Sequence, residues 1–349
     1  MKLGLNLGYW GAGNDAENLA LAREADELGY AVVWAAEAYG SDAATVLTWI
    51  AAHTSRIDVG SAVFQIPGRT PANTAMTAAT LDTLSAGRFR LGLGVSGPQV
   101  SEGWHGVRFD KPLQRTREYV AIVRKALARE RVSYEGEFFT LPLPDGPGKA
   151  LTLTVHPVRD RIPIYIAAIG PKNLELSGEI ADGWLAIFYA PEFAAELREH
   201  LAAGRARAGL GMDGFDIVPT VPVVIGDDLQ ACADQVRPYC ALYIGGMGSR
   251  QQNFYNQLAC RMGYEQAAEE IQAKYLAKDY LGAAQAVPME FIDRTALIGS
   301  ADRIRDRLAA YAESGVTTLT IATYAGSLEQ RKATLRTMVE LMDESGLHS

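Results

Sequence analysis

The side chains best suited to ligand binding or catalysis are concentrated in the segment 90–105, where an apolar stretch is followed by glycine, proline and polar residues. The first three glycines of this run have the spacing of a dinucleotide-binding turn, in which backbone amides approach a pyrophosphate at a helix N-terminus. Such a turn should lead directly into a helix. Here Pro98 follows at once, and helical periodicity resumes only near Pro112. We therefore predict a strand followed by a loop, whose glycines admit a ligand close to the backbone.

A second run of this kind, Ile169-Gly170-Pro171-Lys172, stands between an apolar segment and a helical pattern. Glycine allows the bend, proline suits the first turn of a helix, and the free amides of that turn attract anions. The ammonium group of Lys172 adds positive charge. A phosphate fits this turn, but an ordinary strand-to-helix connection has the same residues, and the sequence leaves both interpretations open.

Few groups are placed to move a proton. Glu37 ends an apolar run and either accepts a hydrogen bond from a ligand or forms a salt bridge at the rim of the fold. His105 follows Trp104 in the glycine-rich loop and either lines a lid or makes a structural hydrogen bond. The residues alone do not decide between these roles.

Several functional classes lose support. The chain contains no HExxH, GxSxG or GxxxxGK[ST] motif, and its three cysteines form no CxxC pair, so we expect no metal site and reduced thiols. The formal net charge of −8, without a basic run, disfavours nucleic acid and anionic membranes as partners. No apolar run reaches membrane-spanning length. We expect a cytoplasmic protein that acts on a small molecule.

The elements that must position these residues follow an α/β repeat. Apolar segments that resemble buried strands alternate with helical patterns, and eight of them fit a single (β/α)8 TIM barrel over residues 1–349. Two passages interrupt the repeat, a hairpin-bearing insertion at about 130–160 after the fourth strand and a helical insertion at about 227–288 after the seventh. The predicted strands are 3–9, 31–37, 57–64, the start of 90–105, 163–169, 183–188, 215–225 and 317–322.

In a barrel of this kind the active site lies at the carboxyl ends of the strands. The residues expected there are mostly aromatic and apolar, with few that titrate, which suits a planar cofactor that brings its own chemistry. The expected substrate pocket consists of Tyr9, Trp10, Trp104, Phe188, Tyr189 and Tyr324, and Glu37, Tyr39, Gln65, Ser96 and Gly97 are expected at the same end.

The chain resembles the bacterial luciferase-like superfamily, in particular its branch of coenzyme F420-dependent oxidoreductases. The resemblance covers nearly the whole chain. It implies a (β/α)8 barrel, usually dimeric, that holds a flavin or deazaflavin ring across the strand ends. The motifs that carry it are residues 33–42, 59–63, 88–106, 164–173 and 181–184.

Position by position, the resemblance implies a non-prolyl cis peptide at Ala62–Val63, in a bulge that presses on one face of the ring. It implies that Gly94, Ser96, Gly97 and neighbouring amides contact the cofactor and that Ile169, Gly170, Pro171 and Lys172 meet its phosphate. Glu37 matches an acidic residue near the ring, and Gln65 is assigned to the cofactor with it.

The departures from the family pattern concern proton transfer. Many relatives have a histidine directly after the acidic residue, where this chain has Ala38, and the sugar-phosphate dehydrogenases have a glutamate beyond the fourth strand, where it has Gly97 and Pro98. Oxidation of sugar phosphates is therefore in doubt. Glu37, Tyr39 and His105 remain as catalytic candidates.

The leading hypothesis is an oxidoreductase that transfers hydride between coenzyme F420 and an organic substrate at an alcohol or carbonyl, C=C or C=N centre. One alternative is a monooxygenase that uses reduced FMN. An alternative of another class is a barrel without turnover that binds or carries the cofactor.

Overall fold

The structure is a computed structural model that describes residues 1–10, 15–323 and 326–347. Eight parallel strands close into a barrel, as the sequence predicts, in the order β1, β2, β3, β5, β8, β9, β10, β12 and back to β1. In chain order the strands are β1 (Lys2–Asn6), β2 (Val32–Ala35), β3 (Asp58–Ser61), β4 (Phe64–Gln65), β5 (Phe89–Gly94), β6 (Tyr134–Glu135), β7 (Thr140–Leu141), β8 (Ile164–Ala167), β9 (Gly183–Ile187), β10 (Asp216–Ile225), β11 (Leu297–Gly299) and β12 (Thr318–Thr323).

Helices surround the barrel, and a further group of them forms the second insertion. Most helices begin after a side chain that accepts from free backbone amides, as at Asp42, Thr70 and Ser327, or at a proline, which has no amide hydrogen to satisfy. The helices are α1 (Asp15–Glu27), α2 (Ala43–Ala52), α3 (Pro71–Leu84), α4 (Pro98–Gly103), α5 (Pro112–Leu127), α6 (Pro171–Ile180), α7 (Ala194–Arg207), α8 (Leu229–Ala241), α9 (Phe254–Arg261), α10 (Glu265–Leu276), α11 (Tyr280–Gln285), α12 (Met289–Thr295), α13 (Ala301–Glu313) and α14 (Leu328–Glu344).

The inside of the barrel is a packed core, so a ligand must bind above it. Trp34 is buried with Tyr165 and Val218, and its ring lies against Gly60, where an added Cβ would come within 2.3 Å of the ring. Below it, Arg90 donates to Asp58 at 2.8 Å and lies 3.3 Å from Asp216. Aromatic packing and these ion pairs therefore close the barrel beneath the carboxyl ends of its strands.

The structure corrects three details of the predicted elements. The third strand is not continuous but breaks between β3 and β4. A short helix, α4, begins at Pro98 where a loop was expected, because proline fits the first turn of a helix. The helical insertion continues through α12 to Thr295 and is followed by the additional strand β11, which pairs with the end of β10. The predicted hairpin is present as β6 and β7.

No helix in the described part of the chain combines the length and apolar composition that a membrane span requires.

Candidate active site

Glu37 lies just beyond β2 and is held from several sides. Its carboxylate accepts hydrogen bonds from the backbone amides of Ala43 and Gln65, each at 3.1 Å, and pairs with both terminal nitrogens of Arg69. Only 8% of the Glu37 side chain is exposed. Of the two roles left open by the sequence, the geometry matches a salt-bridged carboxylate at the rim.

Arg69 is a site residue that the sequence did not single out. It lies after β4, pairs with Glu37 and Asp42, and places its guanidinium 4.4 Å from the centre of the Phe64 ring. Burial disfavours its charge, but the two carboxylates outweigh this effect and raise the pKa of Arg69. Arg69 therefore stays charged and fixes Glu37, and only its position near a strand end could have drawn attention to it.

Gln65 and Ser96 join Glu37 in one network across three strand ends. The Ser96 hydroxyl donates to Oε1 of Gln65 at 2.7 Å, and Nε2 of Gln65 donates to the carbonyl oxygen of Ala38 at 2.6 Å. Ser96 has a φ of +62°, a left-handed conformation that is uncommon outside glycine and asparagine. The structure thus brings together three residues that the sequence placed at the same end of the barrel.

The break between β3 and β4 contains a cis peptide bond joining Ala62 to Val63, at the position that the resemblance implied. Ala62 packs on the cluster around Trp34 that fills the barrel. Val63 lies against Gly94, where an added Cβ would come within 2.5 Å of its Cγ2 atom. Ala62 and Val63 therefore form a floor between the packed core and the open end of the barrel.

The N-terminus of α6 is open. Gly170 is its capping residue, and an added Cβ there would meet nothing within 4 Å. Lys172 is exposed in the first turn, and Arg261 from α9 donates to the carbonyl oxygen of Ile169 at 3.0 Å. Burial lowers the pKa of Arg261. Two cationic side chains thus flank a helix N-terminus, and the sequence indicated only one of them.

Three buried polar atoms at this end of the barrel have no hydrogen-bond partner among the described residues. They are Nε1 of Trp10, Nε2 of His105 and Oδ1 of Asn173. They follow β1, β5 and β8, respectively, so they come from separate parts of the rim. A ligand with polar groups along its edge could satisfy them, whereas a purely apolar ligand could not.

The predicted pocket aromatics divide into two groups. Tyr39 and Trp104 are 65% and 67% exposed, with ring centres 6.5 Å apart at the rim. Tyr9 is 44% exposed and lies beside the side chain of Tyr243. These three residues and Trp10 lie where the sequence placed them.

Phe188 and Tyr189 require a correction. Tyr189 is 1% exposed, packs against Trp184 and Tyr311, and donates its hydroxyl to Oγ of Ser314 at 2.9 Å. It therefore lies in the helix layer, because the positive φ of Phe188 changes the direction of the chain after β9. Phe188 is also buried and packs in the helical insertion. Tyr324 lies outside the described residues.

The helical insertion, residues 229–295, covers part of the open end of the barrel. Phe254 packs on Phe109 in the loop before α5, with ring centres 6.2 Å apart, and Arg261 binds the end of β8. Tyr243 contacts Phe188 after β9 and Tyr9 after β1. The insertion therefore spans the mouth from one side to the other. The sequence did not reveal where this insertion would lie relative to the site.

No group of three or more histidine, cysteine, aspartate or glutamate side chains suited to a metal ion occurs in the described ranges. The proton-transfer candidates are likewise scattered, since Glu37 is fully engaged and Tyr39 projects from the rim. The arrangement can bind a planar ligand with an anionic tail, and its reactivity must come largely from that ligand.

Comparison with known proteins agrees with this geometry. The model of the family described as luciferase-like monooxygenase matches residues 8–318. A protein of Mycobacterium tuberculosis, named as a proposed coenzyme F420-dependent oxidoreductase, is 46% identical over 337 residues, which cover 95% of this chain and 96% of that protein. The 5,10-methylenetetrahydromethanopterin reductase of Archaeoglobus fulgidus is 29% identical over 299 residues, covering 84% and 85%.

Among solved structures, the coenzyme F420-dependent tetrahydromethanopterin reductase from Methanopyrus kandleri superposes with a TM-score of 0.82. The two chains are 22% identical, and the match covers 97% of each. At this identity the similarity establishes the shared barrel fold.

Proposed function

The chain belongs to the luciferase-like monooxygenase family, and from this premise we propose that it is an oxidoreductase that transfers hydride between coenzyme F420 and an organic substrate. The relative with 46% identity over nearly the full length supports the deazaflavin as cofactor. Bound at the barrel mouth, the deazaflavin would supply the hydride donor or acceptor itself. The protein then has to bind it, orient the substrate and exclude water.

The observation that carries this proposal is that an apolar surface for a ring and a binding site for an anion lie at the same end of the barrel. Ala62 and Val63 offer a surface for one face of a ring, while the N-terminus of α6 offers free amides and Lys172 for a phosphate. Gly94 and Ser96 lie between them on β5 and the loop after it. Trp10, His105 and Asn173 provide the unpaired polar atoms for the edges of the ligand.

Sugar phosphates are not the proposed substrate. By the resemblance, Ala38 stands where many relatives have a histidine, and Gly97 and Pro98 stand where the sugar-phosphate dehydrogenases have a glutamate. Both carboxylate oxygens of Glu37 are engaged by Arg69 and by backbone amides. We propose an alcohol or carbonyl, C=C or C=N compound instead.

We further propose that the chain forms one domain over residues 1–349 and works as a cytoplasmic homodimer. Trp49, Met76 and Leu84 are large apolar side chains exposed on α2 and α3, which supports a covered surface there. Cys232, Cys240 and Cys260 are free thiols, which supports a reducing compartment.

The experiment offers the purified protein F420 and FMN separately and measures binding through the change in cofactor fluorescence. We expect F420 to bind more tightly than FMN. Tight binding of FMN without binding of F420 would contradict the proposal and favour a flavin monooxygenase. Screening reduced F420 with carbonyls and activated alkenes then tests turnover, because a protein that only carries the cofactor would leave its absorbance unchanged.

A further inference from the structure

We propose that the substrate is a ketone or aldehyde, or the corresponding alcohol, with an apolar body, and that the hydroxyl of Tyr9 binds its oxygen and exchanges the proton that accompanies hydride transfer. This inference rests on the proposed function. It narrows the proposed substrates to carbonyl compounds and their alcohols and adds the proton donor.

Tyr9 is fixed at the mouth of the barrel by its neighbours in the chain. The carbonyl oxygen of Gly8 accepts a hydrogen bond from the amide of Ala36 at 3.0 Å, and the amide of Trp10 donates to Oγ of Ser41 at 2.9 Å. The backbone on both sides of Tyr9 is thus tied to the segment that follows β2. The residue remains 44% exposed, so a ligand at the mouth can reach its side chain.

The helical insertion supplies the other side of this subsite. Tyr243 lies in a π-helical segment, Leu242–Gly246, and its side chain is next to that of Tyr9. Such segments are frequent at functional sites. The Tyr243 ring packs against Tyr239 and Tyr255, with centres 4.8 Å and 4.9 Å apart. A hydroxyl-bearing end therefore adjoins an aromatic wall, which matches a polar oxygen on an apolar body.

The other proton donors are less suitable. Glu37 pairs with Arg69 and accepts two backbone amides. His105 packs beside Gly68, after β4, and so belongs to a different part of the rim from Tyr9. Tyr39 is 65% exposed and packs against Trp104 at the rim, whereas Tyr9 is more enclosed and lies beside Tyr243, so Tyr9 is the better-placed donor.

The reaction balances with one proton and one hydride. In reduction of a ketone, hydride adds to the carbonyl carbon, the π electrons move to oxygen, and this oxygen takes the proton of Tyr9. The two electrons come from the reduced deazaflavin, and Tyr9 regains its proton from solvent. Burial raises the pKa of Tyr9, although the neighbouring Tyr243 side chain opposes this, so the phenol carries its proton at neutral pH.

The binding test uses cyclohexanone labelled with ¹³C at the carbonyl, added to the protein with oxidised F420, which cannot reduce it. We expect the carbonyl resonance to move downfield on binding to the natural protein and this shift to be lost in Tyr9→Phe. Tyr280→Phe is the matched control, since Tyr280 is exposed in α11 and no part of the subsite. An undiminished shift in Tyr9→Phe, or no shift in the natural protein, would overturn the proposal.

The kinetic test measures reduction of a ketone by reduced F420. Loss of a general acid lowers kcat by about 10²- to 10⁴-fold. We expect Tyr9→Phe to lose activity within this range while still binding F420. Full activity in Tyr9→Phe, with loss in His105→Gln, would assign the proton to the histidine instead. If neither the natural protein nor any variant binds F420, the proposed function itself is wrong. If F420 binds but Tyr9→Phe keeps full activity, only the role of Tyr9 is wrong.

Discussion

Arg69 and Glu37 form an ion pair at the rim of the barrel in which both side chains are largely buried and the carboxylate also accepts two backbone amides. The pair joins the end of β2 to the segment after β4. It therefore fixes the two chain segments that flank Ala62 and Val63, and it explains why an acidic residue at this position need not take part in proton transfer.

Removal of Arg69 should destabilise the protein strongly. Arg69→Met leaves Glu37 buried without its charged partner, and breaking such a pair costs about 3–5 kcal/mol. We expect this loss in the free energy of unfolding measured with urea, and a smaller loss for the double variant Arg69→Met with Glu37→Gln. Arg305→Gln is the control, because Arg305 is partly exposed, its partners Asp302, Asp306 and Glu344 are exposed, and such pairs contribute under about 1 kcal/mol each. Equal losses for the two arginine variants would refute this account of the pair.

Glu118 should make stability depend on pH. Burial opposes its charge, but the side chain of Gln114 and the amides of residues 137–139 lower the pKa of Glu118. Because the folded pKa lies below the unfolded one, the stabilisation is present above about pH 4.3 and is lost as pH falls through the folded pKa. We expect the difference in unfolding free energy between the natural protein and Glu118→Gln to shrink as the pH falls from about 6 to about 3, the range in which Glu118 becomes protonated in both the folded and the unfolded state.

The measurement is urea unfolding across that pH range. Glu135→Gln serves as the control, since Glu135 is exposed in the hairpin whose amides bind Glu118. A constant difference between the natural protein and Glu118→Gln at every pH would show that Glu118 does not titrate as described.

Gly94 should tolerate no side chain while Val63 is present. The added methyl group of Gly94→Ala would meet Cγ2 of Val63 at 2.5 Å, and overpacking of this kind costs about 1–3 kcal/mol. We expect lower thermal stability and weaker F420 binding for Gly94→Ala. The double variant with Val63→Ala should recover part of both, because it removes the clashing methyl groups. If the double variant were no better than Gly94→Ala, the contact would not be the cause.

Lys172 should contribute modestly to cofactor binding. An exposed cation near a bound anion is worth about 0.3–1 kcal/mol, so Lys172→Ala should raise the Kd for F420 about two- to fivefold. Fluorescence titration at low and high salt measures this, and the difference should decrease with salt because exposed charges are screened. Lys149→Ala removes an equally exposed charge from the hairpin insertion and should leave the Kd unchanged. A loss that is the same for both lysines would reflect net charge rather than a site at α6.

The alternation of apolar strands and helical patterns was enough to predict the barrel and the end at which Glu37, Gln65 and Ser96 meet. Parallel strands place their carboxyl ends together whatever follows them, so position along the sequence determines position on the rim. The resemblance added the cis peptide between Ala62 and Val63, which no pattern of apolar residues would have indicated.

The direction of a side chain beyond the last paired residue of a strand was decided only by tertiary structure. Along an extended strand, successive side chains point to opposite faces of the sheet. The positive φ of Phe188 interrupts the extended backbone, so this alternation does not continue to Tyr189, which packs in the helix layer. Arg69, Tyr243 and Arg261 reach the site from segments distant in sequence, and their contacts with Glu37, Tyr9 and Ile169 depend on how those segments pack. The sequence determined which strand ends form the mouth, and only the folded chain decided which side chains close over it.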